Sequence, residues 1–149
     1  MPKDILAIAV GITPRPDAIN MDKASLPGID VVHNVENLPW PFESESFVEI
    51  QAYEIVIYIR DVMQFVDECW RVAKPNALLK IRYPLWDKEI GWIDPTIIRP
   101  FAKNSFDIFD PEANRGGKRY WWYTERKWKI VHREEASNGL YTVHLRKLS

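Results

Sequence analysis

Between Phe47 and Tyr83 the hydrophobic period changes twice, and no other feature constrains the fold as much. Phe47 to Tyr53 places apolar side chains at Phe47, Val48, Ile50 and Ala52, the pattern of a strand. From Asp61 to Ala73 the apolar Val62, Phe65, Val66, Cys69 and Ala73 recur at spacings of three and four, so they share one helical face. Asp61 suits the N-cap of that helix, and Lys74-Pro75 marks its end. Leu78 to Tyr83 then reads as a strand again. Strand, helix, strand in this order implies a right-handed parallel crossover, and so an α/β fold around a mostly parallel sheet.

The flanking segments extend the sheet on both sides. Ile5 to Val10 is a short continuous apolar run closed by Gly11, which suits a strand buried on both faces. Ala18 to Asp22 and Ile29 to His33 each follow a turn signal, Pro16-Asp17 and Pro27-Gly28, and read as the second and third strands. Leu38-Pro39-Trp40-Pro41-Phe42 cannot be a central strand, because two prolines remove two ladder donors. It is expected to be a stiff loop with aromatic anchors. Trp86 to Phe101 is irregular, and Ser105 to Phe109 has room for one or two helical turns. Tyr120 to Arg133 and Leu140 to Leu148 are rich in aromatic and β-branched residues and flank Ser137-Asn138-Gly139, the signature of an antiparallel hairpin.

With 149 residues, 46% of them hydrophobic and 28% charged, the chain fits one globular domain over 1–149 and not a disordered segment. No apolar run approaches a membrane span, and Met1-Pro2-Lys3-Asp4 followed by Ile5 to Val10 lacks the basic region and cleavage site of a leader. A cytoplasmic protein with no membrane contact is therefore expected. Cys69 is the only cysteine, so no internal disulfide forms, and without clustered histidines no metal site is expected. Charge is uneven: Arg115 to Ser149 carries nine Lys or Arg against three Asp or Glu, leaving eleven against eighteen before it. A basic tail of this kind is either a solvated strand face or a contact for a polyanion.

Several stretches in this order are similar to the small class I S-adenosylmethionine-dependent methyltransferases, in particular the type 11 group. They are Leu38-Pro39-Trp40-Pro41-Phe42, Ser46-Phe47, Cys69-Trp70-Arg71-Val72-Ala73-Lys74-Pro75, the strand ending at Tyr83-Pro84, and Asp94-Pro95-Thr96 with Arg99-Pro100-Phe101. The resemblance implies a Rossmann-like sheet, S-adenosylmethionine as cofactor and a site beyond the carboxyl ends of the first strands. Ligands in open parallel sheets bind there on general grounds too. Gly11 would follow strand one beside the methionine part of the cofactor, with Ala9 at the position of the motif's first glycine. Asp22 would accept the ribose hydroxyls, and Asn34 would bond the adenine edge with Val35 and Leu38 against the base. Tyr53 would face the sulfonium. Tyr58, Asp94 and Arg99 are the candidates for substrate contact or proton handling. Each has an ordinary alternative: a turn glycine for Gly11, a cap for Asp22, a turn former for Asn34, core packing for Tyr53.

The sequence also departs from the family's pattern. Ala9 stands where the first motif has a glycine, Asn34 and Val48 where it has acids, Ile57-Tyr58 where a Glu-His pair is common, Asn76-Ala77 at a Gly-Gly turn, and Ile97 at a histidine. Only Gly11 to Ala18 separate strands one and two, fewer than a helical crossover needs. The first helix should be missing or reduced to a turn, which would leave apolar sheet surface for a second copy or another protein to cover. Three functions follow: methyl transfer to an oxygen, nitrogen or carbon acceptor; a catalytically silent binding or scaffold domain of the same fold; or nucleic-acid binding by the aromatic, basic hairpin. In the last, Trp121, Trp122, Tyr123 and Trp128 interleave with Arg119, Arg126, Lys127 and Lys129.

Overall fold

Residues 3–113 and 122–149 are described by a computed structural model. Seven strands form a single sheet in the order β3-β2-β1-β4-β5-β7-β6. They are β1 (Ile5–Ile8), β2 (Ile19–Asp22), β3 (Val31–Val32), β4 (Phe47–Tyr53), β5 (Ala73–Pro84), β6 (Trp128–Glu135) and β7 (Leu140–Lys147). Pairing is parallel from β3 through β5 and antiparallel for β5 with β7 and β7 with β6. The sheet is thus Rossmann-like and mostly parallel, with the expected antiparallel hairpin at its C-terminal edge.

The switch of period at Asp61 produces α1 (Val62–Val72), the only α-helix among the described residues. The Asp61 carboxylate accepts the Gln64 N–H at 3.0 Å, satisfying one of the unpaired donors of the first turn. Its other end is closed from far away in sequence. Lys147, 4% exposed, donates to the carbonyls of Trp70 at 2.9 Å and Ala73 at 2.7 Å, with its ammonium 3.7 Å from the centre of the Trp70 ring. A cation at this position also suits the negative end of the helix dipole. Burial holds the Lys147 ammonium below its ordinary pKa, with Glu45 opposing.

Lys74-Pro75 does end the helix, but the chain re-enters the sheet at Ala73 and not at Leu78. Ala73 pairs with Phe47 and Leu78 with Glu49, so Lys74 to Ala77 bulge out of the ladder with Asn76 at φ 66°. The last hairpin also differs from expectation. Tyr120 and Trp121 lie outside the described residues, and β6 starts at Trp128, which is fully buried, and runs on to Glu135. Gly139 takes φ 90° at its turn, the conformation that glycine tolerates best.

One sheet face holds the core. Leu6, Ile8, Ile50, Ala52, Leu79, Ile81, Tyr83, Val143 and Leu145 pack beneath Phe65, Val66, Cys69 and Val72 of α1 and the Phe101, Phe106 and Phe109 loop. The opposite face carries no helix among the described residues, and here the expectation of bare apolar surface is corrected. Beyond a small cluster of Ala7, Val10 and Ala18, the face presents Glu49 and Gln51 of β4, Lys80 and Arg82 of β5, and Thr142 and His144 of β7. These strands alternate apolar and polar residues, as half-solvated strands do, so the lost helix left no greasy patch. Arg15, on the turn that replaces that helix, reaches Glu49 at 2.6 Å and Gln51 at 3.0 Å.

Replacing Lys147 by Met should leave two carbonyls at the end of α1 without a donor. The expected loss is about 2–3 kcal/mol, the range for hydrogen bonds to a charged group, read from urea unfolding monitored by circular dichroism.

Candidate functional site

The carboxyl ends of β1, β2 and β4 open onto a cavity of about 570 Å³. Each wall comes from a different connection. Ala9 follows β1, Asp22 ends β2, Asn34 and Val35 follow β3, Glu54 and Tyr58 follow β4, and Thr96 and Ile98 come from the long irregular segment after β5.

The floor is fixed by backbone donors. The Gly11 N–H donates to Asp22 Oδ2 and the Ala24 N–H to Asp22 Oδ1, both at 2.9 Å. The carboxylate is held in one orientation with lone pairs to spare. Ala9 has φ 57° and donates its N–H to the Met21 carbonyl at 2.8 Å. A left-handed alanine is costly for an L-residue, and the chain adopts it to leave β1 and turn back over β2 at once.

A buried electrostatic clamp sets the third wall. Glu68 on α1, 6% exposed, accepts the Trp40 N–H at 2.6 Å and two bonds from Arg71, at 2.7 and 2.8 Å. Arg71 donates in turn to the carbonyls of Phe42 at 2.9 Å and Trp40 at 3.3 Å. Burial pushes the Glu68 carboxyl up, but the Arg71 guanidinium and the Trp40 N–H outweigh it and leave its pKa below the ordinary value. Trp40, 1% exposed, then donates its indole N–H to the Val35 carbonyl at 2.9 Å. The Leu38 to Phe42 segment, with a cis bond at Leu38-Pro39, is thereby locked to the helix and presents Val35 to the cavity.

On the open side the Tyr58 hydroxyl donates to Asp94 Oδ2 at 2.7 Å, while the Thr96 N–H and hydroxyl donate to Asp94 Oδ1 at 2.9 and 2.7 Å. The Thr96 hydroxyl, the Thr96 N–H and Tyr58 hold the Asp94 carboxyl below its usual range. Burial and the Asp94 hydrogen bond push Tyr58 up to about 12. The proton therefore stays on Tyr58, which rules out a phenolate base near neutrality.

Of the residues singled out from sequence, the fold gathers Ala9, Asp22, Asn34, Val35 and Tyr58 on this cavity. Gly11 lies just off the wall, where it orients Asp22. Leu38 lines a neighbouring cavity of about 70 Å³, which shares Val35. Tyr53 lies away from both, its ring 4.2 Å from the Arg82 guanidinium. Asp94 does not line the cavity and meets it through its hydrogen bonds with Tyr58 and Thr96. Arg99 donates to the carbonyls of Ile59 and Arg60, both at 2.7 Å, and braces the wall without lining it. Lys23, Glu54 and Arg60 were not foreseen, since single charged residues in connecting segments carry no periodic signal.

The sequence pattern of the methyltransferase domain family matches residues 2–81, more than half of the chain. The chain belongs to this family, the class I S-adenosylmethionine-dependent methyltransferases. No curated protein matches it by sequence. Among solved structures, a Thermotoga maritima S-adenosylmethionine-dependent methyltransferase described as a possible histamine N-methyltransferase superposes with a TM-score of 0.69 at 14% identity. That match covers 99% of this chain and 84% of the other. An Aquifex aeolicus S-adenosylmethionine-dependent methyltransferase gives 0.63 at 13% identity, over 97% and 81%. The Burkholderia thailandensis 1,6-didemethyltoxoflavin-N1-methyltransferase, solved with bound 1,6-didemethyltoxoflavin and S-adenosylhomocysteine, gives 0.65 at 10% identity, over 97% and 71%. At these identities the likeness is one of fold. No helix among the described residues is long and apolar enough to cross a membrane.

Two substitutions probe the walls. Ala9→Gly removes a left-handed cost of ~1–2 kcal/mol against ~0.4–1 kcal/mol of added unfolded-state entropy, so a net gain of about 0.5–1 kcal/mol in urea unfolding is expected. Glu68→Gln should cost about 2 kcal/mol at neutral pH. Because the folded pKa of Glu68 is depressed, its contribution is complete above the unfolded value of about 4.3 and is lost as pH falls through the folded value. The gap between native protein and variant should therefore close on acidification below about pH 4.

Proposed function

We propose that the cavity binds the adenosine part of S-adenosylmethionine and that the chain transfers a methyl group to an acceptor approaching over Tyr58 and Thr96. The carrying observation is the oriented Asp22 carboxylate at the tip of β2, facing a cavity whose volume lies within the range of about 300–1,000 Å³ usual for small-molecule sites. The donor set fits the group. Asp22 retains lone pairs for two ribose hydroxyls, Asn34 a polar edge for the base, and Val35, Ile55 and Ile59 apolar contact. Gly11 acts through Asp22.

When bound, S-adenosylmethionine supplies a methyl group already activated on sulfur, so this chain needs to align an acceptor more than to activate it. Tyr58 gives its hydrogen to Asp94, which leaves the phenol oxygen to accept a hydrogen bond from an acceptor O–H or N–H. Asp94, ionised throughout the neutral range, fixes that polarity. Arg99 keeps the Ile59–Arg60 backbone in place beneath them.

A second reading, a silent binding domain, draws on Ala9, whose methyl stands on the cavity wall where the family's glycine leaves room. The nucleic-acid reading is weakened by the hairpin itself. Trp128 is in the core, Arg126 lies 5.7 Å from the Trp70 ring centre, and Lys129 pairs with Glu112 at 3.4 Å; Arg119 and Trp121 lie outside the described residues. A cytoplasmic setting accords with a lone thiol, Cys69, that is fully buried. Self-association or a protein partner would centre on the turn that replaces the first helix, where Ile12 is 87% exposed. Sedimentation as a pure monomer at micromolar concentration would remove that part.

Isothermal titration with S-adenosylmethionine and S-adenosylhomocysteine tests the reading. Heat is expected for both, with Asp22→Ala at least about tenfold weaker, the effect of losing about 1.4 kcal/mol. Silence of the native protein at high micromolar ligand overturns cofactor binding and with it the enzyme. Binding without turnover against a panel of hydroxyl and amine acceptors would favour the silent domain.

A further inference from the structure

The cavity uses one of the three histidines, His33. The other two, twelve residues apart in sequence, are brought together by the last hairpin. His132 of β6 stands directly opposite His144 of β7, with ring centroids 4.7 Å apart and planes tilted by 40°. They lie on the helix-free face, at the end of a row that runs Gln51, Lys80, His144, His132 across four strands.

That juxtaposition depends on one irregular residue. Ile130 pairs with Leu145 on the core side, so strict alternation would set Val131 opposite His144 and turn His132 into the core. A register shift between Ile130 and His132 inserts Val131 as an extra residue and brings His132 to the polar face. Bulges are a recurrent way of re-aiming a side chain, and a slip of one residue exchanges the two faces of a strand. The hairpin closes with the Ala136 N–H on the Leu140 carbonyl, so counting back by twos makes His132 and His144 a hydrogen-bonded pair. Both backbones are therefore fixed by the ladder.

We propose that His132 and His144 form a two-imidazole site for a divalent transition-metal ion of the nickel, copper and zinc group, with water completing the coordination shell. Imidazole nitrogens suit these ions, and two donors held by adjacent strands bind without first ordering a loop. Among the described residues no three potential ligands gather, so the site is a surface chelate and not a closed structural centre. His132 is exposed and His144 half-buried, which leaves open positions for water.

The surrounding charges permit binding. His144 is half-buried and pairs with Lys80 across the β5–β7 ladder. Lys80, the cation on β5 beside the pair, is engaged by Glu49 of β4 at 3.1 Å. Glu49 and Glu134 lie near enough to His144 to add negative potential toward an incoming cation.

The test uses the full chain without a histidine tag, stripped of metal. Titration calorimetry with nickel chloride at about pH 7.5 should give one ion per chain, and His132→Ala or His144→Ala should each weaken it by about tenfold or more. Copper(II) added in equimolar amount should give an electron paramagnetic resonance signal split by two nitrogens, reduced in either variant. His33→Ala should leave nickel binding unchanged. No heat from the native protein up to millimolar nickel, or equal binding in native protein and His132→Ala, overturns the site. His132 is exposed, so its substitution tests ligation without threatening the fold.

Discussion

The connection between β1 and β2 is the constraint from which most of the structure follows. Parallel neighbours require the chain to travel from the end of one strand back to the start of the next, and a helix normally spans that distance. Here residues 9–18 make the return as a turn. Ala9 must leave β1 in a left-handed conformation, Gly11 follows it at φ 55°, and the second sheet face is left to solvent. The strands β4, β5 and β7 are polar on that face, and Arg15 spans from the turn to Glu49 and Gln51. The same shortcut places Gly11 where its N–H orients Asp22, so the missing helix and the candidate ligand contact have one geometric cause.

A second dependency runs through the single helix. The face of α1 that packs on the sheet also carries Glu68 inward, and that carboxylate organises the loop carrying Trp40. Burying a charge is costly unless it is paired and hydrogen-bonded, and Glu68 meets the condition with Arg71 and a backbone N–H. The result is a rigid third wall for the cavity without any further secondary structure. The open side relies on a smaller network, Tyr58, Asp94 and Thr96, whose proton positions follow from burial of the phenol and the hydrogen bonds that Thr96 and Tyr58 give the acid. Binding geometry on one side and polarity on the other are thus set by separate hydrogen-bonded groups.

The fold was legible where side-chain period reports backbone geometry. Phe47 to Tyr53 and the Asp61 helix were placed nearly to the residue, because one buried face writes its spacing into the chain. Boundaries failed where pairing overrode local signals. Ala73 joined β5 across Pro75 by lining up with Phe47, and β6 began at Trp128, since a core-filling indole set its start and not the aromatic content before it. The short first crossover was readable by counting residues, but its consequence was not: the polar character of the uncovered face lies in alternate residues of three strands distant in sequence.

Composition and spacing by themselves determined the α/β class, the single clear helix, the stiff proline loop and the hairpin, because each is written in neighbouring residues. Tertiary structure alone decided which polar groups meet. Tyr53 and Leu38 turned away from the main cavity, Asp94 came to Tyr58 across a long irregular segment, and a one-residue bulge set His132 against His144. These outcomes depend on register and on how a loop crosses the strand ends, and neither leaves a local signature, since the contacts join residues whose sequence neighbours do not share their environment.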